Sequence, residues 1–224
     1  MYNIFISDII RQKLQGIKFG LLKAENVVVI NNDPQFEDDF SELKDFLSKK
    51  FQDKAPSADD TVNAVRKMYY RIGWEPTRYR PSSEALIRRI LKGKGLYRIN
   101  NLVDYGNLVS AKYHLPMGLY DTERIKGNIT FDVGKVGEGY RGISKKEIHA
   151  EGKLILRDDE GIFGNPTADS LRTSIQETTK SALAVFFCPP EIEDSYLGWV
   201  LDTLGSHYAK SVSEIILNKE IFKP

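Results

Sequence analysis

A single cysteine, Cys188, stands in this chain of 224 residues. No internal disulfide can therefore form, and no cysteine-cluster zinc site can be assembled. The thiol closes an apolar run just before two prolines, which reads as a small core residue rather than a nucleophile. Histidine is nearly as scarce. His114, His149 and His207 lack ligand spacing, so each reads as a surface or half-buried side chain, and no metal and no cofactor are expected. No Walker loop occurs, and Gly134-x-x-Gly137-x-Gly139 fails the dinucleotide fingerprint in order and spacing and reads as turns between strands. No Gly-x-Ser-x-Gly elbow supports a serine triad. Long uncharged apolar runs are also absent, and Asp8 interrupts the first one, so neither a signal peptide nor a membrane span is expected and the protein reads as cytoplasmic. With 32 basic and 31 acidic residues, the formal net charge is +1. That balance excludes indiscriminate binding of long nucleic acid, and DNA is not an expected partner. Positive charge is concentrated only between Arg66 and Lys94, where a solvated helix face and an RNA-facing patch are equally good readings.

Hydrophobic residues at 41% and charged residues at 28% describe an ordinary globular chain, long enough to bury a core unaided. The spacing predicts a strand at Ile4-Phe5-Ile6, a short helix capped by Ser7 or Asp8, and strands at Ile17–Leu22 and Val27–Ile30. Helices are predicted over Asp38–Phe51, Asp59–Ile72, from Ser82 or Ser83 as N-cap to Gly93, and over Asn100–Lys112. Glycine-punctuated strands follow from Ile129. Asp158-Asp159-Glu160 reads as a solvated turn, Ala182–Phe187 as a buried strand, and Glu193–Gly205 and Ser206–Leu217 as two closing helices. Helices, then strands, then helices indicate α+β rather than doubly wound α/β.

Two segments carry more information. One is Leu102-Val103-Asp104-Tyr105-Gly106-Asn107, followed by Leu115-Pro116-Met117-Gly118-Leu119-Tyr120-Asp121 and Arg124-Ile125-Lys126-Gly127. The other is Gly161-Ile162-Phe163-Gly164, followed by the strand that ends at Phe187. In order and spacing they resemble the editing domain of the phenylalanyl-tRNA synthetase beta subunit, formed by its third and fourth structural modules. There the pattern runs Val-Val-Asp-x-Thr-Asn-Tyr, Gln-Pro-Met-His-Ala-Phe-Asp, Ile-x-Gly, Gly-Gly-Ile-Phe-Gly and an apolar strand ending in Phe-Phe. The resemblance covers residues 80–190. It implies one domain over 1–224, of three-layer sheet/helix type, with 1–79 and 191–224 packed on that core as extensions. Aminoacylation motifs are absent, so a complete aminoacyl-tRNA ligase is not expected.

The resemblance also implies a function: hydrolysis of a mischarged aminoacyl-tRNA in trans, as a form of translation quality control. The partner would be tRNA or an aminoacyl-tRNA end. The alternative is a non-catalytic module that binds RNA or an amino acid. By resemblance Asn107 lies on the helix lining the pocket, and Gly164 lies at a turn where a missing side chain lets backbone N–H groups approach a ligand. Two positions depart from the pattern: the family's histidine is Gly118 here, and its glutamate is Leu183. A polar stretch follows Gly164 and supplies other groups. Asp169 is a candidate base, Arg172 a candidate bidentate anion contact, and Ser170 and Thr173 are candidate ribose or water contacts, while Asn165 joins Asn107, Gly118 and Gly164 around the expected pocket. A turn in which Asp169 or Ser170 caps a following helix accounts for the same residues equally well. Arg80 is the candidate phosphate contact, against a structural ion pair.

Overall fold

A computed structural model describes residues 3–210 and 214–224. In chain order the elements are β1 (Ile4–Ile6), α1 (Asp8–Lys13), β2 (Lys18–Glu25), α2 (Phe36–Lys50), α3 (Asp60–Arg71), α4 (Ser82–Leu91) and α5 (Asn101–Tyr113). Next come β3 (Met117–Asp121), β4 (Ile129–Val133), β5 (Gly139–Arg141), β6 (Glu147–His149), β7 (Leu154–Asp158), β8 (Gly161–Asn165) and β9 (Ala168–Asp169). The chain closes with β10 (Ser181–Cys188), α6 (Asp194–Lys210) and β11 (Ile216–Phe222). The class is α+β.

Two sheets face each other, and helices cover one of them. The first sheet runs β1-β4-β7-β8-β9 and the second β11-β2-β10-β3. Alternation along β2 sorts the layers, because successive side chains of a strand point to opposite faces. Phe19 stacks on Phe131 of the first sheet with ring centroids 3.6 Å apart. Its neighbour Gly20 faces the other way, and a Cβ there would lie 2.7 Å from Leu197 of α6. The glycine thus lets the helix lie close on the sheet. In register, Gly118, Val185 and Leu21 share the face between the sheets, whereas Leu119, Ala184 and Leu22 share the helix face. Among the described residues, no helix is long and apolar enough to cross a membrane.

Two helices, α5 and α3, start at side chains that cap them. Asn100 caps α5 by accepting from Val103 N at 3.0 Å, and His114 ends it in the left-handed region at φ 61°. Asp59 caps α3, accepting from Thr61 N and Val62 N. The same carboxylate takes His114 Nδ1 at 2.9 Å and Lys50 Nζ at 3.0 Å. Burial alone would raise the Asp59 pKa, but the bonds to His114, Lys50 and the helix amides outweigh it and hold the carboxyl well below the usual range. A depressed folded-state pKa gives stability that is present above the unfolded value near 4 and lost as pH falls. Asp59→Ala is expected to cost about 1–2 kcal/mol at pH 7, as lost caps do. It should also flatten the decline in stability below pH 4. Urea melts between pH 3 and 7 measure both effects, and an unchanged acid limb refutes the assignment.

Several expectations are corrected. Val27–Ile30 is not a strand. Asn26 turns the chain at φ 60°, and the Asn101 side chain then clamps the extended segment, donating to Val28 O and accepting from Ile30 N. One amide thereby takes the place of a neighbouring strand. The C-terminal pair of helices is a single helix, α6, because Gly205 does not break it; its bare Cα instead admits Leu217. Residues 211–213 of the second expected helix lie outside the described residues. Residues 216–222 pair antiparallel with β2, so sheet pairing overrides the local pattern. Neither Ser82 nor Ser83 caps α4; Ser83 Oγ donates to His114 O at 3.0 Å. His114 itself is buried rather than superficial. Asp158 is buried as well, so Asp158–Glu160 is only in part a solvated turn.

Candidate functional site

A cavity of about 250 Å³ opens beside the edge strand β3, between α5 and residues 169–176. Its walls are apolar, from Val103, Met117, Leu119 and Leu171, and its polar lining is Asn107, Asp169, Ser174 and Gln176. Two exposed isoleucines, Ile99 and Ile143, stand at its margin. The helix brings Asn107 to the cavity because Gly106, beside it, makes room for Met117; a Cβ on Gly106 would sit 3.0 Å from Met117 Cε. Among the described residues, the Asn107 amide makes no hydrogen bond to protein. Few polar groups in a mostly apolar concavity is the usual make-up of a small-molecule site.

Asp169 is the titratable group of this cavity. Its Oδ2 accepts from Leu119 N at 3.1 Å, which ties β9 to β3. Its Oδ1 is buried and without an aligned partner, and so is the hydroxyl of the fully buried Tyr120. Both atoms lie against the bare Cα of Gly118, where a Cβ would start 2.5 Å from Tyr120 Cζ and 2.7 Å from Asp169 Oδ1. Burial pushes the Asp169 pKa up to about 7, although the phenol of Tyr120 and the Leu119 amide pull it down. Burial, and then the negative charge of Asp169, push the Tyr120 phenol well above its ordinary value. A carboxyl whose pKa is raised toward neutral is in the range that suits acid–base work.

The remaining expected residues are placed elsewhere. Gly164 sits on β8, opposite Asp169 in register, and packs against the Tyr120 ring, 2.8 Å from where its Cβ would be. Asn165 forms an Asx turn, its Oδ1 accepting from Thr167 N at 2.8 Å and Ala168 N at 2.9 Å. No helix follows for Asp169 or Ser170 to cap; residues 168–169 are strand β9. Ser170 and Thr173 are buried and bond to each other at 3.0 Å. Arg172 turns away from the cavity and grips Asp158 with two bonds of 2.7 and 2.9 Å. Arg80 lies 3.7 Å from Glu84. Leu183 faces between the sheets, beside Tyr120 in register. Cys188 is buried and its thiol is pushed up to about 12 by burial, which leaves it inert.

Sequence reasoning brought Asn107 and Asp169 to one cavity but missed Tyr120. The signal was present: two glycines, Gly118 and Gly164, in strands where neither needs a positive φ. Glycine inside a strand often marks the close approach of another group, and here that group is the phenol.

Residues 64–208 match the family described as the B3/4 domain. The phenylalanine–tRNA ligase beta subunit of Fusobacterium nucleatum is 30% identical over 111 residues, which is 46% of this chain and 13% of that subunit. The corresponding subunit of Yersinia pestis is 25% identical over 209 residues, 88% of this chain and 25% of the subunit. YhzB, an uncharacterized protein of Bacillus subtilis, is 20% identical over 193 residues and is matched over 86% of both chains. An N-terminal fragment of the phenylalanyl-tRNA synthetase beta subunit from Pyrococcus horikoshii aligns with a TM-score of 0.46 at 11% identity, over 98% of this chain and 50% of that one. The chain spans only about an eighth to a quarter of the length of the ligase subunits named here.

Proposed function

This chain belongs to the B3/4 domain family, and from that premise we propose that it is a tRNA-related hydrolase of mischarged aminoacyl-tRNA. In this reading the amino-acid side chain of the ester occupies the apolar part of the cavity beside β3. The Asn107 amide hydrogen-bonds the ester or its α-amino group, and Asp169 takes a proton from the attacking water. A carboxyl with a raised pKa is suited to that step because it is basic enough to take the proton and holds it weakly enough to pass it on. The observation that carries the proposal is the convergence of Asp169, with its pKa near 7, and the unpartnered Asn107 amide on one small apolar cavity. Its volume of about 250 Å³ suits an amino-acid side chain better than a nucleotide.

The experiment is hydrolysis of a panel of mischarged tRNAs by the purified protein. One ester should turn over, and Asn107→Ala should slow it about tenfold or more, as loss of an oriented polar contact does. Protection of an aminoacyl ester without turnover would instead identify a binding module. Neither turnover nor protection across the panel would sink the tRNA reading.

A further inference from the structure

Between α3 and α4 the chain gathers positive charge that its own carboxylates do not neutralise. Tyr79 lies between two cations, with the Arg78 guanidinium 5.2 Å and Lys153 Nζ 4.5 Å from its ring centroid. Lys153 also stands 5.4 Å from the Trp74 ring, which is stacked on Tyr69. Among the described residues neither Arg78 nor Lys153 pairs with a carboxylate. Arg80 is the third cation, and its only carboxylate is already committed. Glu84 is wholly buried and is held by Arg66 at 2.9 Å and Arg88 at 2.8 Å, which leaves Arg80 at 3.7 Å. The other acidic side chain of the stretch, Glu75, is exposed and turned to Thr77 and Tyr70. Arg78 and Lys153 thus stand without a paired carboxylate, and Arg80 beside one already held by two other arginines, in a chain whose net charge is only +1.

We propose that Arg78 and Lys153, beside the Tyr79 ring, form with Arg80, next in the chain, a phosphate-binding site for the sugar–phosphate backbone of RNA. Like charges held together without a counterion repel, and a phosphate placed among them relieves that repulsion. Burial, and then the Arg78 charge, lower the Lys153 pKa. Trp74 and Tyr69 are buried, so Tyr79 is the ring of the group that reaches solvent, and a ring flanked by cations suits a nucleic-acid strand, which offers phosphates and base faces side by side. The segment that carries the site is tied to the turn before β9. Pro166 O accepts from Tyr69 Oη at 3.2 Å and from Ser82 N at 3.4 Å, and Pro166 stands three residues before Asp169. The proposal rests on the tRNA reading of the cavity, but its test needs no ester and no hydrolysis.

The test is fluorescence anisotropy with a labelled, uncharged RNA hairpin ending in CCA, titrated between 50 and 200 mM salt. Arg78→Ala/Lys153→Ala should weaken binding about tenfold or more. It should also reduce the salt slope by roughly 1.4, as expected for two lost contacts at about 0.7 each on single-stranded RNA. Lys44→Ala/Lys49→Ala removes the same charge from the exposed face of α2 and should stay within about twofold. Arg78→Lys/Lys153→Arg keeps the charge and should retain most of the affinity, which separates loss of contact from loss of fold. Equal weakening by both alanine pairs would overturn the site, and so would absence of RNA binding by the natural protein. Displacement of the RNA by millimolar inorganic phosphate as completely as by unlabelled RNA would reassign it to a small anion.

Discussion

Asp169→Asn is expected to abolish the pH dependence of ester hydrolysis and lower its rate by about 10²–10⁴, the range ascribed to a positioned general base. In the natural protein the rate should rise with pH and level off above about 7, the value to which burial raises this carboxyl. The asparagine keeps the size of the side chain and can still occupy the place beside Leu119 N, but it has no proton to exchange. A second readout separates chemistry from architecture. A carboxyl whose folded pKa is raised contributes stability below its unfolded value near 4, and that contribution is lost as pH climbs through the folded value. Between pH 4 and 7 the folded state must keep a proton that the unfolded chain gives up. Asp169→Asn should therefore be more stable than the natural protein at pH 8, by about 1–2 kcal/mol for a half-buried group, and the difference should vanish near pH 4. A pH-independent rate in the natural protein, or a variant equally stable at both ends, would remove Asp169 from the role of base. A slow, pH-independent residue of activity in the variant would leave the remaining catalysis to orientation by the cavity.

How far the sequence discloses this site depends on which forces place each residue. The α2, α3 and α5 helices are legible because their apolar spacing is local and each of α3 and α5 begins at a side chain that caps it, Asp59 or Asn100. The β10 strand is legible because it is buried on both faces, between β2 and β3 and between helices and the first sheet. What stayed hidden was decided at long range. Residues 27–30 have the composition of a strand, but the partner that satisfies them is the side chain of Asn101, more than seventy positions away. Residues 216–222 become a strand only because β2 offers a free edge. Arg172 looked like an anion contact from its polar neighbours, yet buried Asp158 needs a counter-charge, and a buried carboxylate pairs with the nearest guanidinium. The flanks that seemed additions to a core of residues 80–190 supply β1, β2 and β11, and β2 lies inside its sheet. Asn107 was legible through motif order and Asp169 only as part of the polar stretch after Gly164, whereas the room around them is set by Tyr120.

That room leads to the other large effect. Gly118→Ala should destabilise the protein by about 2–3 kcal/mol, the upper part of the range for overpacked sites, and lower the Tm by roughly 5–10 °C for a chain of this size. The added methyl group would start 2.5 Å from Tyr120 Cζ and 2.7 Å from Asp169 Oδ1. Real Cβ atoms do not come that close to a ring, and this ring is pinned. Its edge meets Phe163 with centroids 4.8 Å apart, and its far side abuts Gly164. Gly198→Ala is the matched control: the same change, inside α6, with nothing within 4 Å of the new methyl group. It should raise stability by about 0.5–1 kcal/mol through the helix propensity of alanine. Tyr120→Leu removes the obstruction, so the double variant Gly118→Ala/Tyr120→Leu should cost less than the two single changes added together. The coupling has a consequence for the departure from the family pattern noted at this position. Where the synthetase pattern has histidine, this chain has a glycine whose side-chain space is filled by a phenol. Gly118→His should accordingly unfold the protein or expel Tyr120 rather than restore a histidine site. Thermal melts of the five variants decide the matter, and strict additivity, or a Gly118→Ala melt no lower than that of the natural protein, would refute the packing of Tyr120 against Gly118.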